Sequence, residues 1–142
     1  MKLYFFSIIL TAFAVFNSCE QSQEQVIEAI NYEASSRGFY MNITLTGDRI
    51  MVGNRMGSEE STIPEGDSQL AFIRSEIAKI DLKSIPDFKA PSHESYRDAA
   101  ASAYFSVKTK ENTYESESFD HGNPPIEIAP IIEALLKLAK VE

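Results

Sequence analysis

Hydrophobic and polar positions divide the chain into an apolar leader, a short polar stretch and a longer region of mixed periodicity. Residues 3–16 are apolar except for Ser7 and Thr11, and residues 20–25 (Glu-Gln-Ser-Gln-Glu-Gln) show no apolar period. From there Val26, Glu28, Ile30 and Tyr32 alternate with Ile27, Ala29 and Asn31, which predicts a strand. After a turn at Ser35-Ser36-Arg37-Gly38, a second strand places Phe39, Met41, Ile43 and Leu45 on one face. Gly47-Asp48 closes it, the glycine-first pair that a type II′ hairpin needs. That register sets Leu45 opposite Ile50 and Ile43 opposite Val52. Gly53, Gly57 and Gly66, with Ser58-Glu59-Glu60-Ser61-Thr62 between them, predict a loop, the least ordered part of the domain.

The period then changes. Leu70, Ile73, Ile77 and Ile80 form a helical stripe that Asp67 or Ser68 can cap. Pro86 and Pro91 end it, and Leu82, Ile85 and Phe88 pack down from an irregular segment. Ala103, Phe105, Val107 and Thr109 alternate again, and a turn at Glu111-Asn112 returns the chain along residues 113–119. This pairing sets Lys108 opposite Glu115 and Tyr104 opposite Phe119. Asn123 followed by Pro124 reads as a helix start, ahead of a stripe of Ile128, Ile131, Ile132, Leu135 and Leu138. Pro130 inside that helix requires either a kink or a first turn that begins nearer Glu127. The expected fold is α+β: an antiparallel sheet of about five strands in the order β-β-β-α-β-β-α, with the helices packed on one face.

The leader carries the clearest address. Lys2 and the apolar run are too short for a membrane span but suit an export signal. Phe16-Asn17-Ser18-Cys19 forms a loose lipobox around the only cysteine of the 142-residue chain. Cleavage before Cys19 makes residues 1–18 a lipoprotein signal peptide and residues 19–25 a tether, leaving 26–142 as one α+β domain. Acylation accounts for a lone thiol in an oxidising compartment. The expected location is the bacterial cell envelope, lipid-anchored at the outer membrane. The competing reading is ordinary cleavage after Ala12-Phe13-Ala14, which releases a soluble periplasmic protein.

Charge narrows the partners. The formal net charge is −8, and the leader removes Lys2 but no acidic residue, so the mature chain is more acidic still. Such a surface argues against nucleic acid and against electrostatic attachment to an anionic bilayer. The membrane is expected as partner only through the N-terminal lipid, with an envelope protein as a candidate second partner.

Ser36-Arg37-Gly38-Phe39-Tyr40, Asp81-Leu82-Lys83-Ser84-Ile85-Pro86-Asp87-Phe88-Lys89-Ala90-Pro91, Thr113-Tyr114-Glu115-Ser116 and Ser118-Phe119-Asp120-His121-Gly122-Asn123-Pro124-Pro125 extend over most of the mature domain. These segments resemble the recurring segments of small flavobacterial (Bacteroidetes) lipoproteins of unknown function. The resemblance implies an address and a fold, and supplies no catalytic residues.

Two kinds of function remain open. One is a non-catalytic binding or structural module, for which Arg37, Tyr40 and Tyr104 are candidate contacts among the exposed cations and tyrosines. The other is a small hydrolase or metal-dependent enzyme in which His121 acts as general base or metal ligand beside Asp98 and Asp120, with His93, Glu94 and Arg97 nearby. The plain alternative for Asp120 to Asn123 is a tight turn into the last helix, with His121 at the surface. No HExxH, GxSxG, phosphate-binding loop, dinucleotide fingerprint or paired CxxC occurs, so no cofactor or metal is expected. A pocket in which Asp98, Asp120 and His121 converge favours the enzyme, and an open face favours the module.

Overall fold

The computed structural model describes residues 25–93 and 100–141. The leader, Cys19 and residues 20–24 of the tether lie outside them, as do Glu94, Tyr96, Arg97 and Asp98. The described chain forms β1 (Ile27–Ser35), β2 (Tyr40–Thr46), β3 (Arg49–Asn54), β4 (Gly57–Thr62), α1 (Ser68–Ile77), a 3-10 segment (Leu82–Asp87), β5 (Ser102–Thr109), β6 (Thr113–Glu115), β7 (Phe119–Asp120) and α2 (Ala129–Leu138). The strands make one antiparallel sheet in the order β4-β3-β2-β1-β5-β6, with β7 also pairing β5. The fold is thus an antiparallel sheet with helices, but it has seven strands where five were expected.

Alternation explains the layers. Ile30, Tyr32 and Ala34 of β1, Met41, Ile43 and Leu45 of β2, and Ala103, Phe105 and Val107 of β5 are all buried. Leu70, Ile73 and Ile77 of α1 and Ile131, Ile132 and Leu135 of α2 join them in one apolar cluster. Among the described residues both helices therefore cover the same side. The intervening strand positions, Asn31, Glu33, Asn42 and Thr44, are only half-buried.

The β2–β3 hairpin has the expected register, with Leu45 facing Ile50 and Ile43 facing Val52. Gly47 sits at φ 61° while Asp48 has a negative φ, the type II′ pattern that only a glycine enters without strain. The expected loop over residues 57–62 is instead β4, paired along its whole length with β3. All six of its residues are exposed, so no apolar alternation marks it, and backbone pairing defines it, with one exposed ion pair from Arg49 to Glu60 at 3.5 Å. It ends where Ile63 turns into the core and its N–H reaches the Asp48 carbonyl at 2.7 Å.

Asp67 caps α1, its carboxylate accepting from the N–H groups of Gln69 (2.8 Å) and Leu70 (3.1 Å). At α2 the expectation fails. Asn123 is no cap; the helix begins at Ala129 after Ile128, without a side-chain cap. Pro130 then falls in the first turn, where the missing N–H has no intrahelical partner to lose, so no kink is needed.

The β5–β6 register also differs from expectation. Lys108 faces Thr113, Ser106 faces Glu115, and Phe119 faces Ala103. The loop is Lys110-Glu111, one residue earlier than the expected turn, because the Thr109 hydroxyl accepts from the N–H of Asn112 (3.1 Å) and of Glu111 (3.4 Å). Ser116 stays in register, its N–H bonding the Phe105 carbonyl at 2.9 Å. One extra residue before Phe119 makes a bulge and separates β6 from β7.

Candidate functional site

Two polar regions stand out in the structure: one holds sequence-named Asp120 and His121, the other borders on sequence-named Tyr104. The first is the corner where β7 leaves the sheet. Asp120 is buried, and the Ser92 hydroxyl donates to its carboxylate at 2.5 Å. The Asn123 amide donates to the same Ser92 hydroxyl at 2.7 Å, and the Asn123 N–H closes a turn onto the Asp120 carbonyl at 2.8 Å. Gly122 takes φ 88° inside that turn, a conformation costly for other residues.

His121 is not a surface residue. It is half-buried, and its Nδ1 shares a 2.6 Å hydrogen bond with the hydroxyl of Tyr32, whose side chain is fully buried in β1. Phe39 lies against the imidazole with ring centroids 5.3 Å apart, and Tyr32 stacks on Phe119 at 6.3 Å. Burial pushes the His121 pKa below the ordinary histidine value, so the ring is neutral at pH 7. Burial pushes the Tyr32 phenol well above its ordinary value. The histidine thus gives a buried phenol its partner, and an unpaired phenol there costs about 1–3 kcal/mol.

This arrangement suits packing better than chemistry. Asp120 and His121 are adjacent, yet they hold separate partners, and among the described residues no serine or threonine hydroxyl bonds the imidazole. Asp98, the third member of the candidate catalytic cluster, lies outside the described residues. No group of three or more His, Cys, Asp or Glu side chains is placed to hold a metal among the described residues. His93 is exposed in the loop before the undescribed segment.

The second region is the sheet face opposite the helices. A shallow open depression of about 320 Å³ lies there, lined by Asn31, Glu33, Asn42, Tyr104, Ser106 and Glu115. Pairing brings these residues together from four strands. Glu33 faces Asn42 on one side and Tyr104 on the other, Asn31 faces Ser106, and Ser106 faces Glu115. Among the described residues neither Glu33 nor Glu115 is in a salt bridge. Lys108, two residues beyond Ser106 on β5, is paired with Glu28 at 3.5 Å.

Of the sequence-named contacts, Tyr104 borders the depression and is 41% exposed. Tyr40 is exposed at the start of β2, where it pairs with Ser35 at the edge of the same face. Arg37 projects from the β1–β2 turn, exposed and, among the described residues, without an ion pair. Tyr32, by contrast, is fully buried in the core. Comparison with protein families, curated proteins and solved structures found no match. Among the described residues no helix is long and apolar enough to cross a membrane.

Proposed function

We propose that this is a lipid-anchored protein of the bacterial cell envelope, acylated at Cys19, whose domain is a non-catalytic binding module acting through its open sheet face. The observation that carries this reading is the depression around Tyr104, a concave polar surface with an exposed ring that no described element covers. Asn31 bonds Ser106 at 3.5 Å and Thr44 bonds Asn42 at 3.2 Å, whereas Glu33, Tyr104 and Glu115 make no side-chain hydrogen bond among the described residues and are free to bond a ligand. At the corner, by contrast, Asp120 and His121 already have partners inside the fold.

A photo-crosslinking residue at position 104 tests the reading in living cells. We expect a discrete adduct from position 104 and none from position 137 on α2. An adduct from position 121 with none from position 104 would move the function to the corner. Anchoring is tested separately: Cys19→Ser should shift the protein from the detergent phase to the soluble fraction. An intact mass beginning at Val15 excludes the lipid.

A further inference from the structure

We infer that the open face receives a cationic peptide segment, seating a lysine or arginine side chain between Glu33 and Glu115 against the ring of Tyr104. The inference rests on the binding-module reading and adds the chemical class of the partner.

Register supplies the geometry. Tyr104 and Ser106 lie two apart on β5 and so share a face. Glu33 stands directly across from Tyr104 on β1, and Glu115 stands across from Ser106 on β6. The two carboxylates therefore flank β5 from opposite sides, with the exposed Tyr104 ring between them. Neighbouring strands are about 4.8 Å apart, and the two glutamates stand two strands apart and two residues out of line, so their Cα positions are roughly 12 Å from one another, a span in which one cationic group fits between the carboxylates. An ammonium or guanidinium group placed there meets a carboxylate on either side and an aromatic face below it, an arrangement that recognises cations.

The surroundings select the same class. Among the described residues the lining holds no lysine or arginine, and Lys108 is engaged by Glu28. Asn31 and Asn42 offer amide donors and acceptors that match the backbone of an extended peptide. A second copy of this chain is disfavoured, because opposing the same face would set Glu33 and Glu115 against their own like charges on a chain of formal net charge −8. A neutral glycan could stack on Tyr104 but would leave both carboxylates without a counter-charge.

The full-length acylated protein in detergent micelles can be titrated with three probes: a blocked Gly-Ser-Lys-Ser-Gly peptide, the same peptide with norleucine for lysine, and a neutral chitin trisaccharide. Affinity is read by calorimetry and the footprint by hydrogen exchange on β1 and β5. The lysine peptide should bind at least tenfold tighter than the norleucine peptide and should weaken as salt rises from 50 to 500 mM. Glu33→Gln combined with Glu115→Gln should abolish that preference at an unchanged melting temperature, and Tyr104→Phe should retain it. The peptide pair on unaltered protein keeps the test independent of how any variant folds. Equal binding of both peptides, or trisaccharide binding that ignores the glutamine changes, overturns the cationic partner while leaving the binding module standing. No footprint on this face from any of the three probes overturns both.

Discussion

The Asp120-His121 corner and the Tyr104 face are built from the same stock of carboxylates, amides and aromatic rings, but they use it in opposite ways. At the corner each polar group meets another group of the protein: Ser92 with Asp120, Asn123 with Ser92, His121 with Tyr32. On the face the polar groups sit at the outward positions of four strands, and the one side-chain bond between two lining residues, from Asn31 to Ser106, is long at 3.5 Å. The sequence motif with the most chemical character thus holds the fold together. The less conspicuous alternate positions of the strands carry the open surface for which we propose a partner.

The comparison breaks most visibly at Phe119. This ring is fully buried beneath Tyr32, so Phe119→Ala should cost about 3–5 kcal/mol in denaturant unfolding. Tyr104→Ala on the exposed face should stay within about 0.5 kcal/mol of the parent. Comparable losses at the two sites would erase the distinction between them.

A smaller effect sharpens the role of His121. His121→Ala strands the buried Tyr32 hydroxyl and should cost about 1–3 kcal/mol. Once Tyr32→Phe is present, the same change should cost less, with a coupling of about 0.5–3 kcal/mol. Additive losses would mean that the 2.6 Å contact contributes nothing to stability.

The smallest effect is a pH dependence. His121 has a lower pKa in the folded chain than in the unfolded one because burial disfavours the imidazolium. The unfolded state therefore binds the proton first as pH falls. The histidine's contribution is complete above its ordinary pKa of about 6.5 and is lost as pH drops from there towards the folded value. Unfolding free energies at pH 7 and 5.5 should differ more for the parent than for His121→Gln, by no more than about 1.4 kcal/mol per pH unit. Identical slopes would show that the ring keeps its ordinary affinity for protons.

Local chemistry was legible in the sequence where it acted within a few residues. Gly47-Asp48 specified both the turn and the register of β2–β3, and Asp67 was one of two residues named for the α1 cap. Elements held by backbone pairing or by distant side chains left no such trace. The residues of β4 show no period because both of its faces meet water. The β5–β6 loop shifted by one residue because the Thr109 hydroxyl captures the turn, a competition that alternation does not register. The candidate site was legible only in part. Tyr40 and Tyr104 were named as exposed rings, but Asn31, Glu33, Asn42, Ser106 and Glu115 become neighbours only once β1 is known to lie between β2 and β5. The available signal was the polar half of each alternating strand. It needed the strand order, which local patterning does not contain.

The central place of β1 also bears on how the molecule assembles. Its pairing with β2 closes across a short turn, whereas pairing with β5 joins residues such as Asn31 and Ser106, 75 positions apart. A meander of β1 to β4 can zip up quickly, but the β5 side of β1 remains an open edge until that long loop closes. Refolding should therefore run at the slow pace of non-local sheets, milliseconds to seconds rather than microseconds, with β1–β5 docking as the step that sets the rate.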